Sequence, residues 1–236
     1  MAEQLDRVVV VTGAFGALGR ATASAFAARG AQLALLDVAP QPPTVIRQRL
    51  GLAPLLFGAV DLSDMEATRR VMAATAMRFG GIDVLVNIAG GFQWETLEDG
   101  EPETWDQLYA MNLRTAVVCC KAALPAMLER GAGCIINIGA GAAATRAGAG
   151  MGAYTASKAG VQRLTESLSE EVKDRGIRVN AILPGTIDTA RNRADMPDAD
   201  FSRWVVPEAI AEVIVFLTTD AARAVTGASI PVSGRG

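Results

Sequence analysis

Tyr154 and Lys158 stand four residues apart in a helix-forming stretch, and together they could move a proton. At that spacing both side chains leave one face of a helix. A free phenol titrates at about 10 and is a poor acid or base at neutral pH. A neighbouring ammonium stabilises the phenolate and is expected to lower that value. The stretch that leads to the pair, GAGAAATRAGAGMGAYTASK (Gly139–Lys158), holds no histidine, no carboxylate and no serine upstream of the tyrosine. There is no histidine anywhere in the 236 residues, which removes histidine-based triads and the commonest metal ligand. Any acid or base must therefore be a tyrosine, a lysine, a cysteine or a carboxylate, and no metal site is expected. Taken alone, the Tyr154–Lys158 spacing equally describes a surface pair on an amphipathic helix.

A second group of residues points to a nucleotide. An apolar strand runs directly into TGAFGALGR, Thr12–Arg20. Glycines at a strand-to-helix turn let the backbone approach a pyrophosphate, and the helix N-terminus favours its charge. The second strand ends at Asp37, eighteen residues after Gly19. A carboxylate there can accept hydrogen bonds from ribose hydroxyls. It would repel a 2′-phosphate, and Val38 beside it offers no cation. NAD(H) is therefore expected, with NADP(H) as the alternative. Asp37 could instead be a turn residue only, and Asp61 in AVDLSD could contact adenine or cap its own turn.

The chain resembles the short-chain dehydrogenase/reductase family over essentially its whole length. The residues that carry this are Thr12-Gly13 with Gly19, Asp61, NIAG at Asn87–Gly90, Asn112 in MNL, Tyr154 with Lys158, and PGTIDT at Pro184–Thr189. The resemblance implies an oxidoreductase in which Tyr154 gives the proton and Lys158 holds both the phenol and the nicotinamide ribose. It implies that Asn112 helps place a water in a proton relay, although an asparagine there could equally cap a break in a long helix. Cofactor contacts are implied for Gly13, Phe15, Gly16, Ala17, Leu18, Gly19, Asp37, Asp61, Leu62, Asn87, Ala89 and Gly90. They are implied also for Tyr154, Lys158, Pro184, Gly185, Thr186, Ile187 and Thr189. Two departures stand out. The family's middle glycine falls at Ala17, with Gly16 beside it, and the family's catalytic serine falls at Ala140 or Gly141, neither of which has a hydroxyl.

GMGAYTASKAGVQRL and Leu183–Trp204 are further similar to dihydropteridine reductases, which also keep the tyrosine and lysine, lack the serine and use NADH. IAGGFQW resembles their Gly-Gly-aromatic segment. On this resemblance Ala140, Trp94, Met151 and Trp204 are expected to face the substrate. The missing serine has its own chemical meaning. Losing one hydrogen-bond donor to a substrate carbonyl typically costs on the order of 10²–10³ in rate. A pterin-like or quinonoid acceptor, already electron-poor, would feel that loss least. Two other readings stay open: a dehydrogenase of ordinary alcohols or ketones with a substitute donor such as Thr145, and an NAD-binding protein without catalysis.

Positioning these residues takes alternating strands and helices. Arg7–Thr12, Gln32–Asp37, Pro54–Val60, Val84–Ile88, Cys134–Ile138, Arg178–Leu183 and Ser229–Val232 read as strands covered on both faces. Helices are expected at Ala17–Arg29, Asp64–Phe79, Glu103–Arg130, Tyr154–Arg175 and Pro207–Leu217, with Ser63 and Glu66 as a capping box. Gly30, Gly80 and Gly176 are placed to end helices. The pattern predicts an α/β fold: a Rossmann-type, doubly wound parallel sheet of about seven strands with helices on both faces, residues 1–236 forming one domain. Val38–Gly51 and Pro184–Val206 break the rhythm. The second reads as a mobile lid from Thr189, carrying Met196, Pro197 and Asp198 and ending in Phe201 and Trp204 over a flat ring.

Composition sets the outer bounds. Half of the residues are apolar, 20% are charged and the net charge is −3 without a basic block, so nucleic acid is not an expected partner. No apolar run is seen that reaches the roughly 18–20 residues of a membrane span, and MAEQLDR does not read as a signal peptide. Cys119, Cys120 and Cys134 read as buried hydrophobes of a cytoplasmic protein. A small-molecule substrate and a homodimer or homotetramer, built through the two long helices, complete the expectation.

Overall fold

Seven apolar runs become seven parallel strands in the computed structural model, which describes residues 5–44 and 54–235. They are β1 (Val8–Thr12), β2 (Gln32–Leu36), β3 (Leu55–Phe57), β4 (Val84–Asn87), β5 (Gly133–Ile138), β6 (Ile177–Pro184) and β7 (Ser229–Val232). Their order is β3-β2-β1-β4-β5-β6-β7, every pair parallel. The main helices are α1 (Ala17–Ala27), α2 (Met65–Phe79), α3 (Pro102–Arg130), α4 (Gly152–Val172) and α5 (Pro207–Thr218).

The sheet is buried on both faces, which is why its strands are apolar at successive positions rather than at alternate ones. Val9, Val11, Leu33, Leu35 and Ile136 pack with Phe26 of α1 and Ile210 and Ile214 of α5. Val10, Leu36, Leu85, Ile135 and Val179 point the other way, against Met72 of α2, Cys119 and Met127 of α3 and Leu168 of α4. Burying each such side chain contributes about 1.5–3 kcal/mol. Phe26 is fully buried, and truncating it to alanine should cost about 3–5 kcal/mol.

β1 is flanked by β2 on one side and by β4, reached only after β3, on the other, so the strand order reverses there and the carboxyl ends of β1 and β4 frame a crevice. Thr12 and Asn87 are partners in that register. The residues singled out for chemistry lie around this end of the sheet.

Several expectations are corrected. Asp64, not Ser63, caps α2: its side chain accepts the N–H groups of Glu66 and Ala67, while Ser63 Oγ donates to Asp61. A carboxylate is the stronger acceptor for open helix N–H groups, and Ser63 has a nearer partner. The long third helix is not uniform; Tyr109–Arg114 is π-helical. By length and composition α3 is apolar enough to cross a membrane, contrary to the reading of its sequence. Here its Cys119, Cys120, Ala123 and Met127 lie against the sheet. Pro184–Val206 is not irregular throughout: it holds a helix at Ala190–Asp195 and one 3-10 turn at Phe201–Arg203. Gly30, Gly80 and Gly176 do adopt left-handed φ angles of 85, 84 and 73°. Of the expected irregular segment Val38–Gly51, residues 45–51 lie outside the described residues, as do residues 1–4 of the N-terminal stretch.

Candidate active site

The glycine turn after β1 is built to bring backbone against backbone. Gly13 has φ +60°, and a Cβ there would lie 2.8 Å from the Ala89 nitrogen. A side chain is barred twice, by conformation and by space. Thr12 Oγ1 accepts the N–H groups of Ile88 (3.0 Å) and Ala89 (3.1 Å), fastening the NIAG turn to the glycine turn. Gly19 packs so closely beneath that a Cβ would fall 2.2 Å from the Gly13 carbonyl oxygen. Phe15 and Leu18 turn their side chains into the core, so only their main chain can face a ligand. Gly16 caps α1 without a side-chain hydrogen bond, which leaves the first-turn N–H groups open to an anion.

Asp37 braces this turn. One carboxylate oxygen accepts the Phe15 N–H and the other accepts the Ala39 N–H, each at 2.9 Å. Each oxygen keeps a lone pair for another donor. Asp61 caps its own turn, accepting both the Ser63 hydroxyl (2.7 Å) and the Ser63 N–H (2.8 Å). These bonds, the hydroxyl first, hold its carboxyl below the ordinary range; Leu62 beside it is buried. Asn87 faces the interior, donating to Asn137 Oδ1 (2.8 Å) and Cys120 Sγ (3.3 Å). On the far side Gly185 N–H donates to Val232 O and Thr186 O accepts from Val205 N–H. Ile187 forms a lone parallel bridge with Val205. Thr189 caps Ala190–Asp195. A bare glycine turn, an uncapped helix end and a carboxylate after the second strand are the groups a dinucleotide needs.

The proton-handling residues meet across Gly90. Lys158 is buried and its Nζ donates to Ile138 O at 2.8 Å. A Cβ on Gly90 would stand 3.2 Å from that nitrogen and 2.5 Å from Asn112 Oδ1. Gly90, having no side chain, thus lets both groups approach its backbone. Asn112 projects from the π-helical stretch, and its Oδ1 accepts the Gly91 N–H at 2.9 Å. Its Nδ2 donates to Gly91 O (3.1 Å) and to Ser157 Oγ (2.9 Å). It therefore ties two other segments together and does not cap its own helix.

Burial governs both ionisable groups. It pulls the Lys158 ammonium down to about 8 and pushes the Tyr154 phenol above its usual value. The expected lowering of Tyr154 by Lys158 is not found: burial of the phenol is the one cause of its shift. The Phe92 ring meets the Tyr154 ring edge-on, 5.0 Å between centroids.

Ala140, 5% exposed, begins the one-turn helix Gly141–Ala144 at the end of β5. A Cβ at 141 would meet the Pro184 carbonyl oxygen at 3.2 Å, a tight contact that counts against a side chain there. Three hydroxyls in the neighbouring chain are engaged with carbonyls of their own helices. Thr145 donates to Gly141 O, Thr155 to Met151 O and Ser157 to Tyr154 O. Trp94 lies over Gly150 and donates to Ala149 O at 2.9 Å, so it clamps the loop before α4. Met151 caps that helix. In the segment expected as a lid, Trp204 packs on Phe201, whose ring lies under the Arg193 guanidinium, and Arg193 pairs with Asp188 through both carboxylate oxygens. The segment is bonded within itself. Phe92 and Ser157 were not singled out by sequence. The Gly-Gly-aromatic segment held a signal for the first; for the second the only mark was its place before Lys158.

Residues 7–200 match the family model described as short chain dehydrogenase. A 1,6-dihydroxycyclohexa-2,4-diene-1-carboxylate dehydrogenase of Pseudomonas putida is 34% identical, covering 97% of this chain and 91% of that protein. A D-threitol dehydrogenase of Mycolicibacterium smegmatis is 35% identical, covering 97% and 92%. The crystal structure of levodione reductase superposes with a TM-score of 0.90 at 30% identity, covering 98% of each chain.

Proposed function

The chain belongs to the short-chain dehydrogenase/reductase family and is an oxidoreductase of the NAD(P)-using kind; on that premise we propose that it reduces an electron-poor, pterin-like or quinonoid acceptor with NADH. The observation that carries this reading is the methyl group of Ala140. At the end of β5 there is no hydroxyl to polarise a substrate carbonyl, and Thr145, Thr155 and Ser157 are committed to main-chain carbonyls. A substrate that depends on such a donor would lose on the order of 10²–10³ in rate. An acceptor already disposed to take hydride would not.

In this reading the chain's own groups divide the work. The Gly13–Gly19 turn and the open end of α1 hold the pyrophosphate, and Asp37 takes the adenosine ribose hydroxyls. Lys158 holds the nicotinamide ribose and Tyr154 gives the proton, with Asn112 placing a water behind Lys158. Bound NADH would supply the hydride. A phenol kept protonated by burial suits donation, hence the reductive direction. The carboxylate of Asp37 at the ribose position supports NADH over NADPH. The outer face of α3 exposes Trp105, Tyr109, Met111 and Val117, which suits a homodimer or homotetramer built through α3 and α4.

A second reading draws on the relatives. Two are named dehydrogenases of hydroxylated compounds and none of the three names a pterin, so oxidation of a secondary alcohol is the competing reaction. The two separate by assay. NADH consumption is measured with a quinonoid dihydropterin, with phenanthrenequinone and with cyclohexanone, for wild type and Ala140→Ser. The proposal expects the activated acceptors to be turned over, cyclohexanone hardly at all, and the serine variant to change the activated rates by less than about threefold. An acceleration of the quinonoid reaction by about two orders of magnitude in Ala140→Ser would show that polarisation was limiting and sink the proposal.

A further inference from the structure

Asn112 is held by an arrangement that reaches into the turn between Tyr154 and Lys158. Gly91 engages two of its atoms: the N–H binds Oδ1 at 2.9 Å and the carbonyl takes one hydrogen of Nδ2 at 3.1 Å. The second hydrogen goes to Ser157 Oγ at 2.9 Å. Ser157 can accept it because its own hydrogen is turned away, to Tyr154 O at 2.7 Å. The order of donors along Asn112, Ser157 and Tyr154 is therefore fixed, and each has one arrangement that satisfies all three. Ser157 and Asn112 are buried, with 5% and 1% of their surface exposed, so water cannot readily replace a missing partner. Asn112 Oδ1, the atom this arrangement aims, is the one that lies with Lys158 Nζ around Gly90.

We propose that Ser157 is a positioning residue of the reaction. By taking the second Asn112 hydrogen and giving its own to Tyr154 O, it locks the Asn112 carboxamide to the catalytic turn of α4 and fixes Oδ1 in its place toward Lys158. A helix-favouring residue would serve the fold at this position as well as serine does. The hydroxyl serves Asn112. The proposal rests on the reading of Tyr154 as proton donor with Asn112 beside it.

The test uses the full chain with NADH and phenanthrenequinone. Ser157→Ala should lower kcat by about tenfold while the NADH dissociation constant stays within about twofold. In an Asn112→Ala background the same change should cost less than about twofold, because the group it positions is gone. Equal costs in the two backgrounds, or an unchanged kcat in the single variant, overturn the proposal. Ser157→Thr and Ser157→Val guard against a folding defect. They have nearly the same shape and differ by the hydroxyl, so the threonine variant should exceed the valine variant by about fivefold or more, and equal rates count against the proposal. A readout without turnover separates this inference from the catalytic reading. In nitrogen-labelled protein the Asn112 side-chain amide should exchange slowly with solvent, and Ser157→Ala should remove most of that protection. Retained protection refutes the positioning role even if no acceptor is reduced. Lost protection without any turnover in the wild type leaves the lock standing and rejects the proposed reaction.

Discussion

Replacing Lys158 by methionine should change how stability depends on pH. Burial draws the ammonium from 10.5 down to about 8 in the folded chain. The unfolded chain keeps that proton up to 10.5, so between about 8 and 10.5 the unfolded state binds more protons than the folded one. Stability must then rise with pH across this window. Below about 8 the whole cost of the buried charge is present, and above 10.5 it has gone. At about 1.4 kcal/mol for each tenfold step in proton activity, the interval corresponds to about 3 kcal/mol. Lys158→Met has no such proton. It also loses the bond to Ile138 O, but that loss does not vary with pH. The assay is urea unfolding of the cofactor-free protein at several values from about pH 7 to 10.5. The quantity read is the difference between wild type and variant, in which other titrating groups cancel. The difference should shift by about 3 kcal/mol in favour of the wild type as pH rises. The same titration should appear in catalysis: with Lys158 read as part of the proton-transfer site, kcat/KM of the wild type in the reductive direction should fall above pH about 8, as Lys158 loses its charge. Parallel stability curves, with an activity limb at pH 10 or above, would refute the reasoning.

Tyr154→Phe should lower turnover by about 10²-fold or more and leave NADH affinity within a few-fold; unchanged turnover on the true substrate removes the phenol from the mechanism. Asp37→Ala should narrow a preference of at least about tenfold for NADH over NADPH, read as two dissociation constants by fluorescence, and equal constants in the wild type would contradict the role given to the carboxylate. Gly19→Ala places a methyl 2.2 Å from the Gly13 carbonyl oxygen, which is backbone and cannot step aside cheaply. It should destabilise by about 2 kcal/mol or more and weaken NADH binding; a fully stable variant with normal binding would mean the turn is looser than described.

The strand–helix alternation, the parallel sheet and the glycine turn were all legible in the chain, because each is a local pattern. A continuously apolar strand announces two covered faces, and a glycine after a helix announces its left-handed end. The residue types at the candidate positions were readable too: Tyr154, Lys158, Asn112, Asp37 and, at Ala140, no hydroxyl. Their states were not. That Lys158 lies deep enough for its ammonium to be pulled down to about 8, and that Tyr154 is raised and not lowered, depend on how much water the packed loops exclude. No spacing encodes that. The capping serine was misread because Ser63 had a nearer partner in Asp61, which only the folded turn shows. Within the segment expected as a lid, Arg193 reaches back to Asp188 and over Phe201, contacts that no local pattern announces. Ser157 took its place beside Asn112 for a similar reason. The two are 45 positions apart, and a π-helical turn together with the packing of α3 on α4 brings them into contact. Sequence determined which groups the protein has and which elements carry them. The tertiary structure decided which groups face one another and how dry they are, because distance and dielectric exist only once the chain has closed on itself.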